Sequence, residues 1–449
     1  MTCICPPAWR TAIEDLVLQG SLSTEGGRRD CRPFLLSGAK NVGKSSFARV
    51  LLNRLLSNHP RVAYLECDPG QPEFTSSGLL SLHLVDEPVY GPPFSHLRTP
   101  YRSHFLGSTS PRNNPSYYIS CIESLIETYT QNFRSLDYDV YDSDREVVPL
   151  VVNTMGWTKG LGGDLLKKIE ELVMPSHIIT IGEVSELRSS DNSQPATTAT
   201  SRSQIASRAF ESPEPQRINV ESIPYNPESA RYTSADWRAL SLMSYFHSSY
   251  HTSFSDIESL LQWNTNSPLL SNKPYAVSPR AALDSVILTG SGSDDVVPSE
   301  IGRVLNGAIV AFVTCEPGSV DASSTPRSAA IPYVQGAPLP DPRTSNCLGL
   351  GLIRGVSPSL LSPEGRLDEQ TRTEILHIIT PVPLSVLRDE SCRCIVKGEI
   401  ELPVWGMTDS RENLGGSAID IPYLQSRRST AAGADRKKVR RNIMRRSQF

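Results

Sequence analysis

A glycine-rich stretch between residues 34 and 46 has the residue types and spacing of a phosphate-binding loop. Gly38, Gly43, Lys44 and Ser45 fit the pattern G-x-x-x-x-G-K-[ST]. In such a loop, glycines let backbone N–H groups turn inward around phosphate oxygens, and the N-terminus of the following helix adds partial positive charge. The lysine reaches the β- and γ-phosphates, and the serine hydroxyl binds Mg²⁺.

The residues around this stretch favour a nucleotide-binding loop over the alternative, a glycine-rich turn that contains Lys-Ser by coincidence. An apolar run enters it from Pro33 to Leu36, and residues 47–56 leave it with helical periodicity. We therefore predict that a nucleoside triphosphate binds at Gly38, Lys40, Asn41, Gly43, Lys44, Ser45 and Ser46.

Two carboxylates end the next strand-like run, residues 61–68. Glu66 and Asp68 alternate with Cys67, so both side chains leave one face of the strand, toward the predicted loop. Strand–helix–strand at this spacing predicts a parallel βαβ unit, and ligands bind at the carboxyl ends of such strands. The alternative is a solvated strand end.

A third apolar run, residues 147–157, predicts a central parallel strand buried on both faces. Many phosphate-loop enzymes end this strand with an aspartate that holds Mg²⁺, whereas this chain has the neutral Asn153 there. Asp68 is then the nearest candidate for a metal-binding or catalytic carboxylate. Trp157 offers a π-face for stacking a nucleic-acid base, or is a core tryptophan beneath the end of the sheet.

The remaining elements predict an α/β fold, in which a P-loop NTPase parallel sheet flanked by helices precedes a smaller β-rich C-terminal domain. A helix with arginines at about 231–250 is either a lid over phosphates or a solvated surface helix. The predicted segments are an N-terminal helix and lead-in at 1–30, a phosphate-loop domain at 31–272 with a flexible insertion at 189–224, a β-rich domain at 273–426 with a loose stretch at 318–345, and a basic tail at 427–449.

Composition limits the functional classes. The 449 residues carry a net charge of −4, so bulk charge does not indicate a nucleic-acid partner, although the tail is locally basic. The nine cysteines lack metal-site spacing, which suits reduced thiols. No apolar run reaches the length of a membrane span, and no signal-peptide core is present. We expect a soluble intracellular protein that does not contact a membrane.

Three motifs together carry a resemblance to a known family: Gly38–Ser45, Asp68-Pro-Gly-Gln-Pro-Glu-Phe74 and Asn153-Thr-Met-Gly-Trp157. The chain resembles the polynucleotide 5′-hydroxyl kinases of RNA processing, and is most similar to the fungal-type nucleolar branch that acts in pre-ribosomal RNA maturation (spacer removal). This resemblance implies transfer of the γ-phosphate of ATP to the 5′-hydroxyl end of RNA, with Mg²⁺. It also implies a HEPN-type endoribonuclease partner and a location in the nucleus and nucleolus.

The resemblance also implies roles for individual residues. Lys44 and Ser45 would be the phosphate-loop lysine and the Mg²⁺-binding hydroxyl, and Asp68 would activate the acceptor hydroxyl or organise the metal. Arg238 would be a lid arginine over the γ-phosphate. The residues expected to hold the RNA end are Gln71, Thr154 and Trp157.

Two departures from the family pattern stand out. Glu66 occupies a position where relatives often have Asp, which leaves its role open. Longer members carry an N-terminal domain before the kinase core, whereas here a short helix precedes the loop. Either this chain is truncated or it lacks that domain.

The sequence is also compatible with alternative functions. A nucleotide-binding scaffold of an RNA-processing complex needs the phosphate loop but no acceptor site. A GTPase-like switch is disfavoured by Asn153, and no guanine-reading Asn-Lys-x-Asp pattern follows residues 177–182, so ATP is the expected donor. The basic tail is a disordered import signal, an RNA-binding segment, or a segment that docks on the nuclease.

Overall fold

The computed structural model of the chain describes residues 5–20, 33–134, 148–182, 214–223, 232–249, 262–264, 268–316, 329–359, 373–389 and 392–402. Predictions on the other residues lie outside this description. They include most of the insertion, part of the loose stretch and the whole basic tail.

A seven-stranded sheet forms the first domain, with strand order β4-β3-β2-β5-β1-β6-β7. Five neighbouring strands, from β2 to β7 in that order, are parallel, and β3 and β4 add an antiparallel edge. The strands are β1 Phe34–Gly38, β2 Val62–Glu66, β3 Leu79–Val85, β4 Arg102–Phe105, β5 Leu150–Asn153, β6 His177–Gly182 and β7 Gln216–Glu221.

Helices cover both faces of this sheet because its central strands are apolar on both sides. Leu35 of β1 packs with the cluster that includes the two helices α3 and α4, whereas its neighbours Phe34 and Leu36 pack with α1 and α2. The helices are α1 Pro7–Gly20, α2 Lys44–Leu55, α3 Pro115–Tyr129 and α4 Leu161–Val173. The predicted P-loop sheet flanked by helices is confirmed.

The strand β7 corrects one sequence interpretation. The range 189–224 was predicted to be a flexible insertion, but residues 216–221 pair in register with β6 along its whole length. Val220 is buried in the core cluster of α1 and α2. This edge strand is short, and the surrounding residues are rich in Ser and Pro. The composition of the whole range therefore predicted a loop, although residues 216–221 form a strand.

A six-stranded sheet forms the second domain, with strand order β10-β14-β13-β12-β15-β11. It confirms the predicted smaller β-rich domain. Part of the predicted loose stretch is packed, because Ile331 and Tyr333 are buried against this sheet. The strands are β10 Tyr275–Val277, β11 Ser285–Leu288, β12 Ile309–Cys315, β13 Ser345–Ser359, β14 Thr373–Ile379 and β15 Cys392–Lys397.

Short elements complete the described chain. The helix α5, Ser234–His247, begins with a capping box between Thr233 and Asp236 and joins the core shared by the two domains. The others are β8 Ser248–Ser249, β9 Gln262–Trp263, α6 Pro279–Ala282, α7 Ile301–Leu305 and α8 Leu384–Asp389. Among the described helices, none combines the length and apolar character that a membrane crossing needs.

Candidate functional site

The phosphate loop connects β1 to α2 in a tight, concave path. Gly38, Asn41 and Gly43 have φ angles of 140°, 66° and 104°. Glycine adopts this left-handed region freely, and asparagine tolerates it. A Cβ at Gly43 would lie 3.0 Å from the Trp9 ring, and a Cβ at Gly38 would collide with the carbonyl of Ile181. The backbone therefore has the shape of a phosphate cradle that side chains at these positions would distort.

Lys44 lies at the first position of α2 and is 7 % exposed. Its Nζ donates a hydrogen bond to the Ala39 carbonyl at 2.7 Å, across the loop. Burial lowers the pKa of Lys44, while the negative charges of Asp68 and Glu66 raise it. The lysine, the phosphate loop and both predicted carboxylates thus meet at one edge of the sheet.

Asn153 links the phosphate loop to Glu66. Its Nδ2 lies 3.0 Å and 3.2 Å from the two carboxylate oxygens of Glu66 and 3.4 Å from Ser45 Oγ. The neutral residue at the end of β5 therefore holds a carboxylate beside the serine, an arrangement that the sequence did not reveal.

Glu66 is fully buried, and its oxygens accept hydrogen bonds that shape the loop after β2. Oε1 accepts the Asp68 N–H at 2.9 Å, and Oε2 accepts the Glu73 N–H at 3.1 Å. Burial, together with the Asp68 charge, raises the pKa of Glu66, and the hydrogen bonds oppose this rise. The contacts identify Glu66 as the residue that positions the Asp68 segment.

Asp68 is half-buried, and one of its oxygens is committed to the loop. Oδ1 accepts the N–H groups of Gly70 at 2.8 Å and Gln71 at 3.3 Å, whereas Oδ2 has no hydrogen bond within the described part of the chain. Burial raises the pKa of Asp68, and the Gly70 N–H and the Lys44 charge oppose that rise. Gln71 is half-buried, and its side chain forms no hydrogen bond with the described residues.

These oxygen atoms fit a hydrated Mg²⁺, which binds few protein ligands and keeps several waters. Ser45 Oγ and the Asp68 carboxylate are hard oxygen donors near the loop. The buried Asn153 Oδ1 also lacks a hydrogen-bond partner among the described residues. No cluster of three or more His, Cys, Asp or Glu side chains suited to metal occurs in the described ranges. The arrangement suits a cation held mainly by nucleotide phosphates.

Sequence reasoning missed a cluster centred on the buried carboxylate of Glu73. Glu73 accepts hydrogen bonds from Arg49 Nε at 2.7 Å and from His96 Nε2 at 2.9 Å. Its pKa is lowered, because the hydrogen bond from His96 and the charge of Arg49 outweigh burial. Arg49 lies one turn after Ser45 on α2, so this pair fixes the Asp68 loop to the phosphate-loop helix. The sequence signal for this cluster was that Arg49 lies four residues after Ser45, and therefore on the same face of α2.

Thr154 was expected to hold the RNA end, but the structure places its side chain in the interior. The side chain is 2 % exposed, and Oγ1 donates to the Leu36 carbonyl at 2.6 Å. The hydroxyl therefore joins β5 to β1 and is not available to an RNA end in this structure. The next glycine, Gly156, packs on the phosphate loop, since a Cβ there would lie 2.6 Å from Lys40 Cα.

Trp157 is partly a core residue, and its role in stacking a nucleic-acid base stays a prediction. One part of the half-buried side chain packs against the core cluster of α3 and α4. The Arg112 guanidinium carbon lies over the ring, 5.5 Å from its centroid. Arg112 was not among the predicted site residues, because no local motif marks the loop before α3.

Arg238 lies on α5 and is half-buried. This helix contacts the loop that follows Asp68, because Ser241 Oγ donates to the Thr75 carbonyl at 3.3 Å. The neighbouring Trp237 ring stacks on Phe94, with a centroid distance of 5.9 Å. Arg238 forms no hydrogen bond or ion pair with the described residues, and its role as a lid arginine stays a prediction.

Comparison with known proteins agrees with this geometry. Residues 38–248 match the family described as mRNA cleavage and polyadenylation factor CLP1 P-loop. A "Polynucleotide 5′-hydroxyl-kinase GRC3" from Cryptococcus neoformans var. neoformans serotype D is 36 % identical over 98 % of this chain and 59 % of that protein. The Schizosaccharomyces pombe protein of the same name is 30 % identical over 99 % of this chain and 58 % of its own length.

More distant relatives extend the similarity. The "Polynucleotide 5′-hydroxyl-kinase nol9" of Dictyostelium discoideum is 28 % identical over 87 % of this chain and 57 % of its own length. A solved wild-type Clp1p–Pcf11p complex matches with a TM-score of 0.52 at 15 % identity, covering 88 % of this chain and 79 % of the solved one. That match shows the fold alone.

This chain spans less than two thirds of the length of the curated relatives that it matches. The similarity nevertheless includes the phosphate loop, the Asp68 segment and the Asn153–Trp157 segment. Residues 38–248 of the chain therefore match the CLP1 P-loop family model, and nearly the whole chain is similar to polynucleotide 5′-hydroxyl-kinases.

Proposed function

We propose that this chain is an ATP-dependent polynucleotide 5′-hydroxyl-kinase that transfers the γ-phosphate of ATP to the 5′-hydroxyl end of RNA. The observation that carries the proposal is the position of Asp68. Backbone N–H groups fix one of its oxygens, and its charge acts on the phosphate-loop lysine Lys44. A scaffold that only binds nucleotide does not need an oriented carboxylate on the acceptor side of the loop.

On the donor side, backbone N–H groups of residues 38–46 and the Lys44 ammonium bind the phosphates. Ser45 would bind the metal directly, and Asp68 would help to hold it through the waters that Mg²⁺ retains. Bound Mg²⁺·ATP supplies the phosphoryl group and neutralises charge on its oxygens. Phosphoryl transfer needs charge stabilisation and in-line alignment rather than covalent catalysis. On nucleotide binding, Lys44 exchanges the Ala39 carbonyl for phosphate oxygens. Arg238 would add a further positive charge from α5.

On the acceptor side, Asp68 Oδ2 accepts the proton of the 5′-hydroxyl group while the hydroxyl oxygen attacks the γ-phosphorus, the bond to the bridging oxygen breaks and ADP leaves. A positioned base of this kind typically contributes about 10²–10⁴-fold to the rate. Gln71 and Trp157 follow the carboxyl ends of the neighbouring strands β2 and β5, and they would hold the first nucleotide. Thr154 stabilises the end of β5 by donating a hydrogen bond to the Leu36 carbonyl of β1.

The relatives' names support the polynucleotide acceptor, and we extend the proposal to the biological setting of pre-ribosomal RNA processing. The proposed location is the nucleus and nucleolus. The proposed partner is a HEPN-type endoribonuclease, whose cleavage leaves the 5′-hydroxyl ends that the kinase consumes. The basic tail at 427–449, which lies outside the described residues, would serve as an import signal or dock on that nuclease.

Incubation of the chain with γ-labelled ATP and a 5′-hydroxyl oligoribonucleotide tests the activity. We expect label on the oligonucleotide and none with the Lys44→Ala variant, because the variant removes the charge that binds the β- and γ-phosphates. The same oligonucleotide with a 5′-phosphate is the matched substrate control. ATP binding by the wild-type chain without any transfer would instead select the scaffold function.

A further inference from the structure

The loop of residues 106–114, between β4 and α3, lies beside the Asp68 segment. A Cβ at Gly70 would lie 3.0 Å from the Thr109 carbonyl oxygen, so the two backbones are in close contact. The second domain fixes the other side of this loop. The Glu399 N–H donates to the Gly107 carbonyl at 2.6 Å, and the Asn113 side chain donates to Glu399 Oε1 at 3.4 Å. The loop therefore has a defined position next to the proposed catalytic carboxylate.

The loop of residues 106–114 contains one cationic side chain, that of Arg112. Its side chain is exposed, and its guanidinium lies over the Trp157 ring at 5.5 Å. Its backbone N–H is capped by Ser110 Oγ, which fixes the start of the turn that carries it. A guanidinium stacked on an indole keeps its N–H donors directed around its edge, where they suit bidentate binding of phosphate.

Two lysines belong to segments next to this tryptophan. Lys159 follows Trp157 by two residues and is exposed. Lys40 is exposed on the phosphate loop, its backbone contacts Gly156, and its charge acts on Asp68. Within the described ranges, none of these three cations forms an ion pair with a carboxylate. Positive charge without compensation around an aromatic ring suits a polyanion with bases to stack.

We propose that Arg112, held in place by Trp157, binds the first internucleotide phosphate of the acceptor RNA. This inference rests on the proposed kinase activity and deepens it by identifying how the site selects a polynucleotide over a free nucleoside. The 5′-hydroxyl lies at Asp68, and the chain of phosphates leaves the site along the Arg112 side of Trp157. Single-stranded nucleic acid is bound in this way by cations that follow the backbone and aromatic rings that stack bases.

The test compares Arg112→Gln, Arg112→Lys and a matched control, Arg303→Gln, in the full chain. Arg303 is an exposed arginine of the second domain that pairs with Glu300. We measure KM for ATP, KM for a 5′-hydroxyl oligoribonucleotide and KM for a nucleoside 3′-monophosphate. The affinity for a fluorescent oligonucleotide is followed separately over a series of salt concentrations.

For Arg112→Gln we expect about a tenfold or larger rise in KM for the oligonucleotide, the size of effect typical for a charged hydrogen-bond donor. The plot of log binding constant against log salt concentration should become less steep by about 0.7, as expected when one contact to a single strand is lost. KM for ATP should not change. Arg112→Lys should restore the salt slope but only part of the affinity, because an ammonium binds phosphate without the bidentate geometry.

The outcomes separate this inference from the proposed function. If the wild-type chain transfers no phosphate to any acceptor, the kinase proposal fails. If it does transfer, the Arg112 inference is overturned by a wild-type KM and salt slope in Arg112→Gln, or by an equal loss in Arg303→Gln. A loss of ATP affinity in both Arg112 variants would also overturn it, because that result indicates a structural role.

Discussion

Two carboxylates separated by one residue have different environments, and this difference assigns their roles. Every hydrogen bond to Glu66 comes from a group that shapes the site: Asn153 and the N–H groups of Asp68 and Glu73. Asp68 uses one oxygen in the same way and keeps the other for a ligand. Sequence alternation predicted that both would face the loop. It did not distinguish them, because hydrogen-bond partners from β5 are distant in sequence.

The substitution Asp68→Asn should lower kcat by about 10²–10⁴-fold, the usual contribution of a general base, with little change in ATP affinity. Because the base acts when ionised and burial raises its pKa, kcat of the wild-type chain should fall as the pH drops through that raised pKa. Radiometric transfer assays across pH measure both. A near-normal kcat for Asp68→Asn would assign the base to another group.

For Glu66→Gln, by contrast, we expect a lower melting temperature, since an amide N–H would face N–H donors.

At the scale of elements, the phosphate loop depends on two segments that are distant in sequence. Trp9 of α1 lies against Gly43, contacts Phe47 edge-on at 5.1 Å between ring centroids, and donates from Nε1 to the Glu221 carbonyl at 2.8 Å. The first helix and β7 therefore enclose the start of α2. The sequence predicted the helix from its periodicity, but the contact spans 212 positions and no local pattern encodes it.

We expect Trp9→Ala to destabilise the chain by about 3–5 kcal/mol, as for other buried tryptophans, and to raise KM for ATP. Trp9→Phe should keep an aromatic ring against Phe47, but it should lose the hydrogen bond to Glu221, a cost of about 1 kcal/mol, together with the contact of the outer indole atoms with Gly43. Thermal unfolding and nucleotide titration of the two variants measure these effects. If Trp9→Ala bound ATP as tightly as the wild-type chain, the role of α1 at the phosphate loop would be excluded.

At the scale of the whole molecule, the second domain supports the acceptor side of the site although it contributes none of the predicted site residues. Glu399 holds the loop of residues 106–114, and the Tyr245 hydroxyl of α5 accepts the Leu350 N–H of the second sheet at 2.7 Å. Sequence patterns predicted a β-rich domain from its short apolar runs. They could not predict this connection, because it depends on backbone carbonyls and loop contacts rather than on residue types.

Arg102 of β4 is one of the polar links between the two domains. Its Nη2 donates to the carbonyls of Pro342, Arg343 and Ser345 at 2.8, 2.8 and 3.3 Å, and its Nη1 donates to Thr128 Oγ1 at 3.0 Å. No carboxylate takes part in these four bonds. One guanidinium therefore fixes the start of β13 and the residues before it to β4 by donating hydrogen bonds to three backbone carbonyls. Lysine does not reproduce this planar geometry.

The substitution Arg102→Ala should lower the free energy of unfolding by about 1.5–3 kcal/mol, the range for hydrogen bonds made by a charged group. The loss should exceed that of Arg354→Ala, the matched control, because Arg354 is exposed and donates to a single carbonyl, Asn272, at 3.3 Å. Denaturant unfolding of both variants measures the difference. We further expect KM for the oligonucleotide to rise more than KM for ATP in Arg102→Ala, since β4 leads directly into the loop of residues 106–114. Equal stability of the two variants would show that the Arg102 hydrogen bonds do not stabilise the contact between the sheets.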